Sequence, residues 1–291
     1  MLQCGFAASP SAALTPCLAI IVPTRIEQTF SNLRAARQMA FMPFVTAGDP
    51  DMDVTCDLIR ELASRGVDLI EVGFPYSDPI ADGPVIQSSY TRALLKKLTV
   101  PEIFRGIARL DTANLPPLVA MVSYAIIFRI GTETFLKQAQ EAGFSGFIVP
   151  DLPGDEAAEM HAAVTGMGMD LIQLVAPTTP PERVRQIVRH SSGFVYCIAV
   201  AGTTGVRDSL AAPLVEQLTW LKKETSLPLA VGFGLSKPEQ LGPIRGLADG
   251  AIVGSAIVRH LEALTQPGAN AVEVIRKAGD YAALMTAAAH K

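Results

Sequence analysis

The sequence predicts an α/β protein built as a (β/α)8 barrel, and three observations carry that prediction. Between residues 40 and 264, a short β-rich run followed by a longer helical pattern recurs eight times. The β-rich runs are almost continuously apolar, as strands buried on both faces of a parallel sheet must be. The repeat count suits a closed barrel. A doubly wound open sheet would show fewer units and a G-x-G-x-x-G turn after its first strand, where this chain reads TAGDPD.

The first unit is FMPFVTA with a helix near 51–65. GVDLIEVGF then precedes helices near 85–96 and 100–109, and PLVAMVSY precedes one near 131–142. FSGFIVPD leads into 154–166, DLIQLVAP into 180–189, GFVYCIAVA into 207–223, LPLAVGFG into 236–246 and DGAIVGS into 254–264. Punctuation supports these bounds: Asp51, Pro101, Pro181 and Pro238 stand at or near helix starts, and Gly66, Gly143 and Gly166 follow helix ends. Ahead of the repeats, residues 25–38 read as an extra amphipathic helix with Ile26, Phe30, Leu33 and Arg37 on one face, suited to capping the barrel bottom. Residues 1–24 have no basic residue before Arg25, and Pro10, Pro16 and Pro23 interrupt their apolar run. They read as a loosely ordered extension rather than a secretory signal, leaving 25–291 as a single barrel domain.

Composition narrows the function. A chain of 291 residues that is 49% hydrophobic can bury a substantial core. The net charge of -4, without a basic stripe, argues against nucleic acid, so an anionic ligand has to be held locally. Cys4, Cys17, Cys56 and Cys197 form no C-x-x-C pair, and His161, His190, His260 and His290 lie far apart, so no metal site is expected. No run approaches the ~18–20 apolar residues that cross a bilayer, so no membrane role and a cytoplasmic location are expected.

Catalytic groups of such barrels gather where strands end and βα loops converge. Alternation along VDLIEV puts Val67, Leu69 and Glu71 on one face and Asp68, Ile70 and Val72 on the other. If Leu69 points inward, Glu71 does too, at an apolar rim where lost hydration raises its proton affinity and suits it to act as acid and base. The other reading of Glu71 is a carboxylate paired with a cation or hydrogen-bonded in the loop. Asp82 follows on a loop stiffened by Pro75, Pro79 and Pro84, which could hold a carboxylate over the barrel mouth. An Asp-Gly turn would equally explain it. GTTG (202–205), GFG (232–234) and GSA (254–256) follow the last three strands and offer glycine backbone and helix N-termini to a phosphate. None of the three contains Lys or Arg, so backbone donors would do most of that work. Tyr124, Asp151 and Tyr196 fall at or near strand ends by the same rim, with structural support as their other role.

With these residues in view, the chain resembles the tryptophan synthase α-subunit family from about residue 25 to 285. FMPFVTAGDPD, IEVGFPYSDPIADGPVIQ, VPDLPGDE, GTTG, GFGLS and GAIVGSAIV occur in that family's order and spacing. The resemblance implies retro-aldol cleavage of indole-3-glycerol phosphate, with Glu71 handling the proton at the substrate hydroxyl and at the indole ring carbon, and Asp82 engaging the ring nitrogen. It implies Phe44, Val122 and Tyr124 around the indole, Tyr196 near Glu71, Thr204 as a further substrate contact, and Gly205, Gly232, Gly234, Gly254 and Ser255 as a phosphate cradle. Asp151 would support the rim. It further implies a partner β subunit in an α2β2 assembly, with pyridoxal phosphate on the partner and no cofactor on this chain.

Two loops depart from the family pattern. Ile126 stands where the family commonly has Asn, and Ala199 and Thr203 replace the usual residues before the last glycine of GTTG. In the family those loops contribute to the active-site rim or the β-subunit face. A stand-alone indole-releasing lyase, and a weakly catalytic subunit that activates its partner, therefore stay open as alternatives. A different phosphate-binding barrel, such as a sugar-phosphate isomerase, gives no reason for the YSDPIADGP loop.

Overall fold

Thr24 caps the first helix, and does so by local chemistry. Its hydroxyl accepts from Glu27 N while the Glu27 carboxylate accepts from Thr24 N, a capping box that starts α1 (Arg25–Ala36). The computed structural model describes residues 22–79, 82–154, 156–199, 212–232 and 234–291. Most of the expected extension at 1–24 and the whole GTTG stretch, with Thr203, Thr204 and Gly205, therefore lie outside the described residues.

After α1 the chain runs β1 (Ala40–Thr46), α2 (Met52–Ser64), β2 (Ile70–Gly73), α3 (Pro84–Leu95), α4 (Val100–Ile107), β3 (Leu118–Met121), α5 (Tyr124–Ile130), α6 (Thr132–Ala142) and β4 (Phe144–Ile148). It continues as α7 (Ala157–Gly166), β5 (Asp170–Val175), α8 (Pro181–Arg189), β6 (Val195–Ile198), α9 (Ala212–Glu224), β7 (Leu229–Gly232), β8 (Gly250–Val253), α10 (Ser255–Leu261) and α11 (Ala271–Ala289). The eight parallel strands pair in sequence order, and β8 returns to β1 through Ala40↔Gly250 to Pro43↔Val253, closing the barrel. This is the expected TIM barrel with its extra N-terminal helix.

Strand alternation sorts the apolar residues into two cores. Met42, Phe44, Leu69, Val119, Met121, Ile172, Tyr196 and Ile252 belong to the cluster that fills the barrel, and their chain neighbours join the larger cluster beneath the helices. At the bottom, Ile26, Phe30 and Leu33 of α1 join the inner cluster, with the Phe30 and Phe194 rings 5.5 Å apart. Arg37 does not share that face. It ends α1 in the left-handed region at φ 58 and is exposed.

Other expectations are corrected locally. Val67 packs in the outer cluster and not with Leu69 in the inner one, so the alternation of β2, which begins at Ile70, does not extend back to it. The helix expected at 236–246 shrinks to a 3-10 turn at Pro238–Leu241, cut short where Gly242 and Pro243 follow. The helix expected at 254–264 divides into α10 and a 3-10 turn at Glu262–Thr265. Gly166 lies inside α7, and Gly168, at φ 71, makes the left-handed turn instead. Helices α5 and α11 were not foreseen. α5 hides in a β-branched stretch, and α11, capped by Asn270, packs against α2 and α10.

Candidate active site

The opening of the site is set by β1 and β2, whose register places Phe44 opposite Glu71. Both side chains point inward, so Glu71 ends an apolar column and is only 1% exposed. Its Oε1 has no hydrogen-bond partner among the described residues, and no cation stands beside it there. The reading of Glu71 as one half of an ion pair is thereby removed. Burial raises its pKa from 4.5 to about 8, and the negative charge of Asp82 adds to the rise. At neutral pH Glu71 therefore keeps its proton.

Asp82 comes to the same cavity on the loop between β2 and α3. Its N–H donates to the Pro79 carbonyl at 3.1 Å, and Gln87 Nε2 donates to the carbonyls of Asp82 at 2.7 Å and Pro79 at 3.2 Å. One helix side chain thus ties Pro79 and Asp82 together, with the Asp82 carboxyl turned to the cavity. Partial burial pushes that carboxyl from 3.8 up to about 6, so it is ionised at neutral pH while Glu71 is not. Two acids in one cavity hold different protonation states because their solvation differs.

The helix that follows Asp82 is itself anchored. Arg92 of α3 makes two hydrogen bonds to Asp49 in the loop after β1, Nε to Oδ1 at 2.8 Å and Nη2 to Oδ2 at 2.5 Å. The Asp49 side chain is 2% exposed and that of Arg92 20%. Beside them the hydroxyls of Thr46 and Ser89 lie 2.7 Å apart in the core.

The cavity encloses about 350 Å³ at the C-terminal end of the barrel. Of the residues singled out from sequence, it brings together Glu71, Asp82, Phe44, Tyr196, Gly234, Gly254 and Ser255. Tyr196 is buried, and burial, followed by the charges of Glu71 and Asp82, raises its pKa well above the usual tyrosine value. Gly232 is not in the wall. A Cβ there would overlap the Tyr196 hydroxyl, so its lack of a side chain makes room for that ring.

Val122 and Tyr124 are not in the wall either. Val122 faces the outer cluster, where Tyr124 also packs, while Met121 faces the cavity. Tyr124 opens α5, and Asp151 holds that start by accepting from Ser123 Oγ at 2.6 Å and Tyr124 N at 2.7 Å. Ile126 packs against the outer cluster. Sequence reasoning missed Ile86, Met121 and Ile252, the apolar wall, and Ser236 and Arg259 near the glycines. Alternation from Phe44 and Glu71 would have found Met121 and Ile252 through the paired strands.

Among the described residues no three His, Cys, Asp or Glu side chains are grouped to hold a metal ion. None of the described helices is long and apolar enough to cross a membrane.

A closed barrel that sets a protonated carboxyl and an ionised one into a single apolar cavity at its C-terminal mouth belongs to the acid–base enzymes of the (β/α)8 class. Residues 30–286 match the family model described as "Tryptophan synthase alpha chain". The tryptophan synthase alpha chain of Gloeobacter violaceus is 44% identical over 240 residues, covering 82% of this chain and 87% of the relative. That of Rhodopirellula baltica is 44% identical over 266 residues, covering 89% and 96%. Among solved structures, tryptophan synthase of Mycobacterium tuberculosis superposes with a TM-score of 0.82 at 32% identity, over 93% of this chain and 100% of that one. This chain belongs to the tryptophan synthase alpha chain family.

Proposed function

We propose that the chain cleaves indole-3-glycerol phosphate into indole and glyceraldehyde 3-phosphate. The observation that carries this reading is the protonated Glu71, its Oε1 without a hydrogen-bond partner, beside an ionised Asp82. Protonated Glu71 gives its proton to the indole ring carbon that bears the glycerol chain, and the ring nitrogen becomes positive. Asp82 stabilises that N–H as the charge develops. Ionised Glu71 then takes the proton of the adjacent substrate hydroxyl. The carbon–carbon bond breaks, its electron pair restores the indole ring, a carbonyl forms on the departing fragment, and Glu71 ends protonated as it began. Phe44, Ile86, Met121 and Ile252 supply apolar wall for the ring, and Gly234, Gly254 and Ser255 receive the phosphate.

In this reading residues 25–291 act as one catalytic barrel, in the cytoplasm, as the α subunit of an α2β2 assembly. The β subunit carries pyridoxal phosphate and consumes the indole; no cofactor acts on this chain. The test is indole release by the purified chain and by Glu71→Gln, each with and without an added β subunit. Weak activity that rises with the partner and vanishes in the variant is expected. Strong wild-type activity indifferent to the partner would favour the stand-alone lyase, and activity retained by Glu71→Gln would remove Glu71 from the chemistry.

A further inference from the structure

The cavity wall contains two acids and, among the described residues, a single strong base. Arg259 lines the cavity with Gly234, Ser236, Gly254 and Ser255, on α10 directly after β8. It follows Ser255 by four residues in α10, so the two share one face of the helix. Side chains of a helix lean toward its N-terminus, which sends this long one back over Ser255 and into the wall. Nearby basic residues are engaged: Arg92 is held by Asp49 and Lys277 by Glu273. Arg259 makes no ion pair or side-chain hydrogen bond with any described residue.

We propose that Arg259 binds the phosphate of the substrate and sets the preference for the phosphorylated ester over its unphosphorylated counterpart. This rests on the cleavage reading above and deepens it, because backbone donors alone would have to hold a dianion in a cavity where Asp82 already carries negative charge. A guanidinium offers a planar fork of donors that fits two phosphate oxygens at once, which neither glycine backbone nor a serine hydroxyl provides. Because Arg259 is exposed, its contribution is screened by salt. As a ligand of the phosphate and not of the ring or the breaking carbon–carbon bond, it acts on binding and not on turnover.

The experiment compares the full chain with Arg259→Ala and Arg259→Lys in steady-state cleavage, and measures glycerol 3-phosphate binding by calorimetry at low and high salt. Arg259→Ala should raise KM and weaken glycerol 3-phosphate by about tenfold to a hundredfold, as expected for loss of a charge-assisted contact. Its kcat should stay within about threefold of wild type, and its binding should lose most of the wild-type salt dependence. Arg259→Lys should recover part of the affinity, since a point charge replaces the fork. Unchanged KM and affinity in Arg259→Ala, or a fall in kcat alone, would overturn the proposal. If the wild type binds glycerol 3-phosphate through Arg259 yet cleaves nothing, the assigned reaction fails while the role of Arg259 stands.

Discussion

Replacing Glu71 with Gln should change stability in a pH-dependent way that can be worked out from its burial. The folded protein raises the Glu71 pKa from 4.5 to about 8. At about 1.4 kcal/mol per tenfold change in proton affinity, that span corresponds to roughly 5 kcal/mol. Between those two values the unfolded chain has released the proton and the folded chain keeps it. Wild-type stability from this group is therefore complete below about pH 4.5 and is lost as pH rises through about 8. The Gln variant stays neutral throughout and escapes the loss. Its buried amide lacks partners and costs about 1–3 kcal/mol, but that cost does not vary with pH. The variant should begin no more stable than wild type at pH 5 and gain on it by roughly 3–4 kcal/mol by pH 8. Urea unfolding of both proteins at several pH values measures the difference directly. A difference that stays flat across that range would mean Glu71 ionises normally, and the assignment of a proton-holding carboxyl would fail.

The same pair of acids shapes turnover. With Asp82 titrating at about 6 and Glu71 at about 8, kcat/KM for cleavage should peak between those values, falling on the acid side as Asp82 takes up a proton and on the alkaline side as Glu71 loses one. A profile with one limb only would contradict the division of labour. Arg92→Leu should destabilise the fold by roughly 3–5 kcal/mol, because it strands the buried Asp49 carboxylate. It should also lower kcat by loosening the helix behind Asp82. Thermal unfolding checks the first effect, and the double variant Asp49→Asn, Arg92→Leu should recover most of the stability. A loss below about 1 kcal/mol in the single variant would show the pair is dispensable.

The barrel was legible because its signals are local and repeated. Each apolar run and each cap, such as Asp51 accepting from Val54 N, is readable within a few residues. Strand alternation put Leu69 and Glu71 on one shared face, which the barrel turns inward, but the same rule carried two residues further back misplaces Val67, which packs in the outer cluster. α5 was missed because β-branched residues suggest strand, and only the Ser123 and Asp151 contacts at its start favour the helix. Val122 was placed at the indole by family likeness, whereas the pleat of β3 turns Met121 to the cavity.

By itself the sequence determined the eight strands and most of the helices between them, the shared face of Leu69 and Glu71 and the stiff loop bearing Asp82, because periodicity and proline geometry act over short stretches of chain. Only the tertiary structure decided what those groups became. Closure of β8 onto β1 brought Arg259 and the C-terminal glycines around to the acids of β2 and its loop. Burial by residues far apart in sequence, not anything adjacent to Glu71 in the chain, separated the proton affinities of the two carboxyls. Desolvation is set by every atom that excludes water from a site, and that count exists only once the barrel has closed.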